Sequence, residues 1–502
     1  MLTQKDKEIL RTLAQQYMTY ASNPRQKELE ALWISHNTGC GQRPMVLIDQ
    51  IPWHEMDVDG SLQCEIEDPY WRNVECTLRR KCYQARYMPA DMLLPPYILI
   101  PRILQDPAFR GFGLPIQEET ARTDAANDVV SHAYVRQFET EEDLEKIRPT
   151  VLRADREREA AVMEQAKLIF EGIAPVYWQG VSLHAGLWDT ISQWQGVEEC
   201  YYMLLDEPEL LHQIMERLTQ YTLDLIRQGN EEGLFDVTST LCHCSHTIKQ
   251  PFGTGMEERP GLSQNSWTFG MAQLFTSVSP DVTRTFEIPY MKRIFEQFGD
   301  VYYGCCEKLD DRLELLLELP HVRKVSCSPW SDPDRFAAAL PKQMIMSNKP
   351  NPALAAVGDM DTMKQELEKT ISAARRNNLR LEMILKDNSS VHYHPERLWE
   401  FSRMAFFRQI VIIEMCQRLD VPKPFPGKGC LSRYLSEKGC TIMKVEERIA
   451  ALGLTLPEPP QRGGVYTPVR PFGDKQLYAS GFGPAVKGVE PVLGKLGREV
   501  TL

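Results

Sequence analysis

The chain has 502 residues, 43% hydrophobic and 25% charged, with 30 Gly and 34 Pro, a balance that excludes collagen-like, coiled-coil and disordered classes. Its net charge of −12, with no long basic block, argues against a nucleic-acid or anionic-membrane partner. Thirteen cysteines behind an opening MLTQKDKEIL, which lacks a signal peptide's apolar core, are expected to be reduced thiols of a cytoplasmic protein.

Residues 1–42 read as an N-terminal helical extension. Beyond them, short apolar runs alternate with long amphipathic segments. The runs are MVLIDQI (45–51), YILIPRI (97–103), PVYWQGV (175–181), LFDVTST (234–240), DVYYGCC (300–306), VRKVSC (322–327), QMIMSN (343–348) and LRLEMIL (379–385). They carry few charges, as strands buried on both faces require. Polar-cap and proline pairs mark helix starts between them: Asp206 with Pro208, Ser279-Pro280, Asp332-Pro333 and His394-Pro395. Eight strands alternating with helices predict an α/β (β/α)8 TIM-like barrel over 43–420, with its chemistry at the C-terminal strand ends. A doubly wound sheet is the alternative, although no GxGxxG follows any run. The most apolar stretch, 404–416, is broken by Arg408, Gln409 and Glu414, so no membrane span is expected. Residues 421–502 hold 12 Gly and 10 Pro and carry +5, against −17 for the rest. They read as an irregular C-terminal appendage with one short helix near 444–452.

The strand ends gather reactive side chains. Trp53 and His54 follow the first run, and Trp178 leads to His184 in the third. His243 sits within Cys242–His246, where thiolate and imidazole suit zinc but the two-residue gaps of a structural zinc module are missing. Tyr303, Cys305, Cys306 and Glu307 end the fifth run. Strand alternation would put Tyr303 and Cys305 on one face, so only one of the two thiols reaches the barrel mouth unless the strand has already ended. Trp330 ends the sixth run, Asn348 the seventh, and Lys386 with Asp387 the eighth. The expected catalytic set is Cys305, Cys306, Glu307, Lys386 and Asp387. Trp53, His54, Trp178, His184, His243, Tyr303, Trp330 and Asn348 are the expected pocket. Small buried cysteines and core tryptophans are the alternative reading of the same residues.

The segments WDTISQWQGVEECYYMLLDEPELLHQIMERL (188–218), SPDVTRTFEIPYMKRIFEQFGDVYYGCCEKLDDRLELLLEL (279–319) and MIMSNKPNPALA (344–355) resemble the uroporphyrinogen decarboxylase-like superfamily. The resemblance covers about 160–415. It implies a barrel and one of two chemistries: cofactor-free decarboxylation, or zinc-dependent methyl transfer with a corrinoid protein as partner. The methyltransferases' His-x-Cys zinc motif is kept only at Cys305. Cys305, Cys306, Glu307 and His243 are therefore the metal ligands that the resemblance suggests, with Asp387 near the place of a distant cysteine. Arg102 and Arg110 are the stand-ins for the decarboxylases' substrate arginines. A small-molecule substrate and a homodimer are the remaining expectations, and a non-catalytic barrel that binds a corrinoid or a partner is the third alternative.

Overall fold

The computed structural model describes residues 2–41, 43–121, 127, 131–238, 240–404, 469–472 and 476–479. Two compact units divide the chain, Met1–Ser432 and Arg433–Leu502. The first unit opens with α1 (Gln4–Ala21) and α2 (Pro24–Asn37). A reciprocal Thr3–Asp6 capping box starts α1, while the Asn23 side chain and Pro24 start α2.

The chain then runs β1 (Met45–Ile48), α3 (Pro69–Tyr87), β2 (Ile98–Pro101), an exposed hairpin β3 (Glu118–Ala121) and β4 (Ser131–Tyr134), α4 (Arg156–Phe170) and β5 (Val176–Gln179). Next come β6 (His184–Ala185), α5 (Leu187–Gln195), α6 (Val197–Asp206), α7 (Pro208–Glu232), β7 (Trp267–Gly270), α8 (Pro280–Phe286) and α9 (Ile288–Phe295). The remaining elements of this unit are β8 (Asp300–Tyr303), β9 (Val322–Cys327), α10 (Pro333–Ala339), β10 (Ile345–Asn348), α11 (Pro352–Val357), α12 (Met360–Arg376) and β11 (Arg380–Leu385). Residues 396–404 are also helical.

Seven strands form one parallel sheet in the order β1-β11-β10-β9-β8-β7-β6, and β2 pairs with β5 in a separate parallel ladder. The large ladder therefore ends at β1 on one side and β6 on the other. Because its strands are parallel, their C-terminal ends share one edge: Ile48 lies opposite Leu385, Asn348 opposite Cys327, and Gly270 opposite Tyr303. The pleat sorts side chains into two cores. Val46, Val301, Tyr303, Val325, Met346 and Met383 pack in a core with residues of α5 to α12, whereas Met45, Leu47, Trp267, Phe269, Tyr302 and Ile384 share a second core with residues of α1 to α4. That second core also buries polar groups. Lys324 Nζ lies 2.9 Å from Glu382 Oε2 and 2.6 Å from Ser245 Oγ, with both charged side chains fully buried.

Seven of the eight apolar runs contain strands. The run 234–240 does not: Leu234 and Phe235 make isolated parallel bridges to Gly261 and Val181. The strands β6 and β7, two and four residues long, fall outside the eight runs and lack a β-branched run to announce them. Asp206 ends α6, and Glu207 occupies the cap position of α7 instead. Asp332 does cap α10, accepting from the N–H groups of Asp334 and Arg335. Among the described residues of the second unit, β12 (Val469–Phe472) and β13 (Gln476–Ala479) pair antiparallel with each other. The helix expected near 444–452 lies outside the described residues. No helix among them is long and apolar enough to cross a membrane.

Candidate functional site

The strand β8 stops at Tyr303, and Gly304 turns the chain with φ +87°. A Cβ there would sit 2.7 Å from Leu309 Cδ1, so this close approach requires glycine. The turn breaks strand alternation, which brings both thiols to the same place. Cys305 Sγ and Cys306 Sγ are 3.4 Å apart, and both residues line one cavity of about 670 Å³. Glu307 holds the turn from behind. Its carboxylate accepts from the Cys305 N–H at 2.7 Å and the Ala272 N–H at 3.3 Å.

From the end of β11, Lys386 and Asp387 reach the same point. Lys386 Nζ is 2.9 Å from Cys305 Sγ and 3.2 Å from His243 Nε2, and the Cys306 thiol donates to Asp387 Oδ2 at 3.0 Å. Asp387 adopts φ +59°, and its N–H is fixed by Gln50 Oε1 at 3.1 Å. His243 is presented by a tight turn. The Cys242 N–H donates to Ser245 O and the Ser245 N–H to Cys242 O, while His243 itself takes φ +55°. The imidazole stacks on Phe269 with centroids 3.8 Å apart, and Phe269 in turn stacks with His184 at 4.8 Å.

These contacts decide the charges. The single S–H of Cys306, shared between the Cys305 sulfur and Asp387, is the largest cause holding the Cys305 thiol far below its usual value; burial opposes it, and His243 and Lys386 reinforce it. The same contact pushes the Cys306 thiol well up, with burial and Asp387 adding to the effect. Burial disfavours a charged His243, but the Cys244 and Cys305 sulfurs outweigh it and raise the imidazole to about 9. Burial also acts against the Lys386 ammonium, and the same two sulfurs hold it protonated. Burial drops His184 to about 4, with Arg110 contributing, so it stays neutral. Behind Glu307, burial raises Asp189 to about 7 and Glu287 to about 8, and the Tyr303 hydroxyl donates to Glu287 at 2.6 Å.

Cys305, Cys306 and Asp387 offer ligand atoms within 4.8 Å of one another. Glu307, expected as a ligand, has both oxygens on backbone N–H groups instead. Of the other expected residues, His184, His243, Cys305, Cys306, Lys386 and Asp387 line the cavity. Tyr303 faces the helices and packs on Phe295, because it still belongs to the strand. Trp53 packs on Tyr83 beneath Arg80, and His54 lies edge-on to Tyr393. Trp178 lies under the Arg102 guanidinium, Asn348 is buried against Cys327, and Trp330 is 70% exposed. None of these six lines the cavity. Sequence reasoning missed Gln50, Phe269 and Gln273 in its lining. Phe269 belongs to the unannounced strand β7, and no local signal marks the two glutamines.

No protein-family model matches the sequence, and no curated protein matches it. Among solved structures, a methyltransferase from Methanosarcina mazei aligns over 75% of this chain and 98% of its own, with 12% identity and a TM-score of 0.43.

Proposed function

We propose that this chain is a corrinoid-linked methyltransferase or demethylase on a uroporphyrinogen decarboxylase-like (β/α)8 barrel, in which the Cys305–Cys306–Asp387 site activates or receives the methyl group. The observation that carries the reading is the meeting of two thiols, a carboxylate and a lysine on one cavity at the C-terminal strand edge. That edge is where parallel α/β folds place their chemistry. The seven-stranded parallel sheet and the parallel β2–β5 pair support a barrel.

A thiolate is the nucleophilic form of cysteine, and a lysine ammonium beside it keeps it so at neutral pH. Lys386 supplies that cation at 2.9 Å. In the step proposed, a sulfur lone pair forms the S–CH3 bond while the methyl carrier keeps the electron pair of the bond that breaks. Asp387 orients the Cys306 S–H, and the His243–Phe269–His184 stack walls the reacting sulfur from one side. The donor set also fits zinc. Cys305, Cys306 and Asp387 would supply three ligands and the cavity side an open position, which is the count of a catalytic site. Bound there, zinc would keep its sulfur ligands deprotonated at neutral pH.

The test joins elemental analysis of the purified protein with pH-dependent alkylation of wild type, Cys305→Ser and Cys306→Ser. Stoichiometric zinc, or a Cys305 that alkylates far below the ordinary thiol range, supports the reading. Sub-stoichiometric zinc together with unreactive thiols in every variant overturns it and leaves a decarboxylase, with Lys386 carrying the proton, as the better account.

A further inference from the structure

The turn after β8 brings two reducing groups into contact. Cys305 Sγ and Cys306 Sγ are 3.4 Å apart on the wall of the cavity, where Cys305 is buried and Cys306 half-buried. Extended backbone would send these neighbours to opposite faces, and the φ of +87° at Gly304 turns them together. Glu307 then holds the turn by accepting from the Cys305 N–H at 2.7 Å and the Ala272 N–H at 3.3 Å. The gap between the sulfurs exceeds a disulfide bond of about 2.05 Å by about 1.4 Å, a distance that rotation of the two side chains covers.

A bond between these sulfurs would close the smallest ring that two cysteines can form. Neighbouring Cα atoms lie about 3.8 Å apart, short of the about 4.4–6.8 Å usual across a disulfide. Such a bond is strained, and strained disulfides are the labile and regulatory ones rather than permanent staples. The surroundings supply the chemistry of closure. Lys386 Nζ, 2.9 Å from Cys305 Sγ, favours the thiolate, which is the form that reacts with an oxidant. The Cys306 thiol donates to Asp387 Oδ2 at 3.0 Å, so a carboxylate stands ready to take its proton. A thiolate beside a resolving thiol, both open to a cavity, is the arrangement of a redox-sensitive cysteine.

We infer that Cys305 and Cys306 are a reversible modification site, at which hydrogen peroxide closes a disulfide between the adjacent cysteines and switches the reacting sulfur off. This adds regulation to the proposed function and rests on it in taking Cys305 as the reacting sulfur. In the first step the Cys305 sulfur attacks one peroxide oxygen, the O–O bond breaks, and hydroxide leaves behind a sulfenic acid. Cys306 then gives its proton to Asp387 and attacks the Cys305 sulfur; the S–S bond forms, the S–O bond breaks, and a second hydroxide leaves. The hydroxides become water, one with the Cys306 proton and one with the proton that Cys305 had released. Two electrons pass from the sulfurs to one peroxide. Closure removes both the methyl-accepting thiolate and the two sulfur donors of the candidate zinc site.

The experiment treats the full chain, as purified, with hydrogen peroxide, blocks free thiols with N-ethylmaleimide and weighs the tryptic peptide 294–308, which carries both cysteines. The peptide should lose the mass of two hydrogens and take up no maleimide, and dithiothreitol before blocking should restore both thiols. Alkylation of Cys305 by iodoacetamide should vanish on oxidation and return on reduction. Because closure is intramolecular, dimedone should capture a Cys305 sulfenic acid at least about tenfold more in Cys306→Ser than in wild type. The wild-type peptide decides the matter even where the variant does not fold. A Cys305 that alkylates when reduced, yet gives a sulfinic acid beside a free Cys306, a link to Lys386 or a disulfide between two chains, overturns the inference and leaves the proposed function standing. A Cys305 inert to alkylation removes the proposed function, and the oxidised peptide then decides alone: the disulfide within it upholds the modification site, and an unchanged pair of thiols overturns it.

Discussion

Replacing Lys386 with methionine isolates the cation from the candidate metal ligands. The side chain is buried and its Nζ lies 2.9 Å from Cys305 Sγ, 3.2 Å from His243 Nε2 and 3.4 Å from Asp387 Oδ1. Methionine keeps the length of the stem and removes the charge. A hydrogen bond to a charged group contributes about 1.5–3 kcal/mol, which at about 1.4 kcal/mol per unit corresponds to about one to two pKa units. The Cys306 S–H remains the larger influence on the thiolate, and His243 persists, so Cys305 should stay well below an ordinary thiol. The sign follows from which form the lysine favours. Lys386 stabilises the thiolate, so the pH at which Cys305 gains its proton must rise when the cation is lost. The assay is the pH dependence of Cys305 alkylation by iodoacetamide in both proteins, with circular dichroism to establish that each stays folded across the range. An upward shift of the midpoint by about one to two units is expected. A folded Lys386→Met protein with an unmoved midpoint, or a wild type whose Cys305 titrates like a free thiol, would refute the electrostatic account of the site.

Asp387→Asn should lower zinc affinity by at least about one to two orders of magnitude in chelator competition, since even losses outside the ligand set reach that size. Gly304→Ala should destabilise the fold by about 1–3 kcal/mol in urea titration, because φ +87° and Leu309 Cδ1 at 2.7 Å both oppose a Cβ. Lys324→Met should cost about 3–5 kcal/mol by leaving the buried Glu382 carboxylate without its direct ammonium partner, with the Ser245 hydroxyl at 2.7 Å and His36 at 3.7 Å still beside it, and the double variant Lys324→Met with Glu382→Leu should cost less. His36 adds an acid limit: burial lowers its imidazole from the usual 6.5 to about 4, so the unfolded chain takes up a proton that the fold refuses. Stability is then intact above pH 6.5 and falls by about 3 kcal/mol as the pH drops through that window, a slope that chemical denaturation at several pH values should show reduced in His36→Gln.

Most of the strands and the neighbourhood of the site are legible in the order of the residues alone. Runs such as DVYY, VRKVSC and LRLEMIL are apolar enough to be buried on both faces, and a parallel arrangement follows from the helical segments that separate them. Parallel strands share a C-terminal edge, which is why the gathering of Cys305, Cys306, Lys386 and Asp387 on one cavity is legible from their positions alone. The pairing within that edge was not legible. Strand alternation separates Cys305 from Cys306, and only the left-handed turn at Gly304, packed against Leu309 and stitched by Glu307, brings both thiols close to Asp387. The same turn makes Glu307 a scaffold carboxylate and leaves Tyr303 among the helices. Nor does any local pattern announce β7, whose Phe269 carries both histidines, since WTFG follows the polar SQNS and ends in glycine rather than forming a continuous apolar run. Adjacency along the chain specifies which side chains are near an edge. Which of them touch depends on where each strand stops and how sharply the backbone turns, and that is decided by packing from residues distant in sequence.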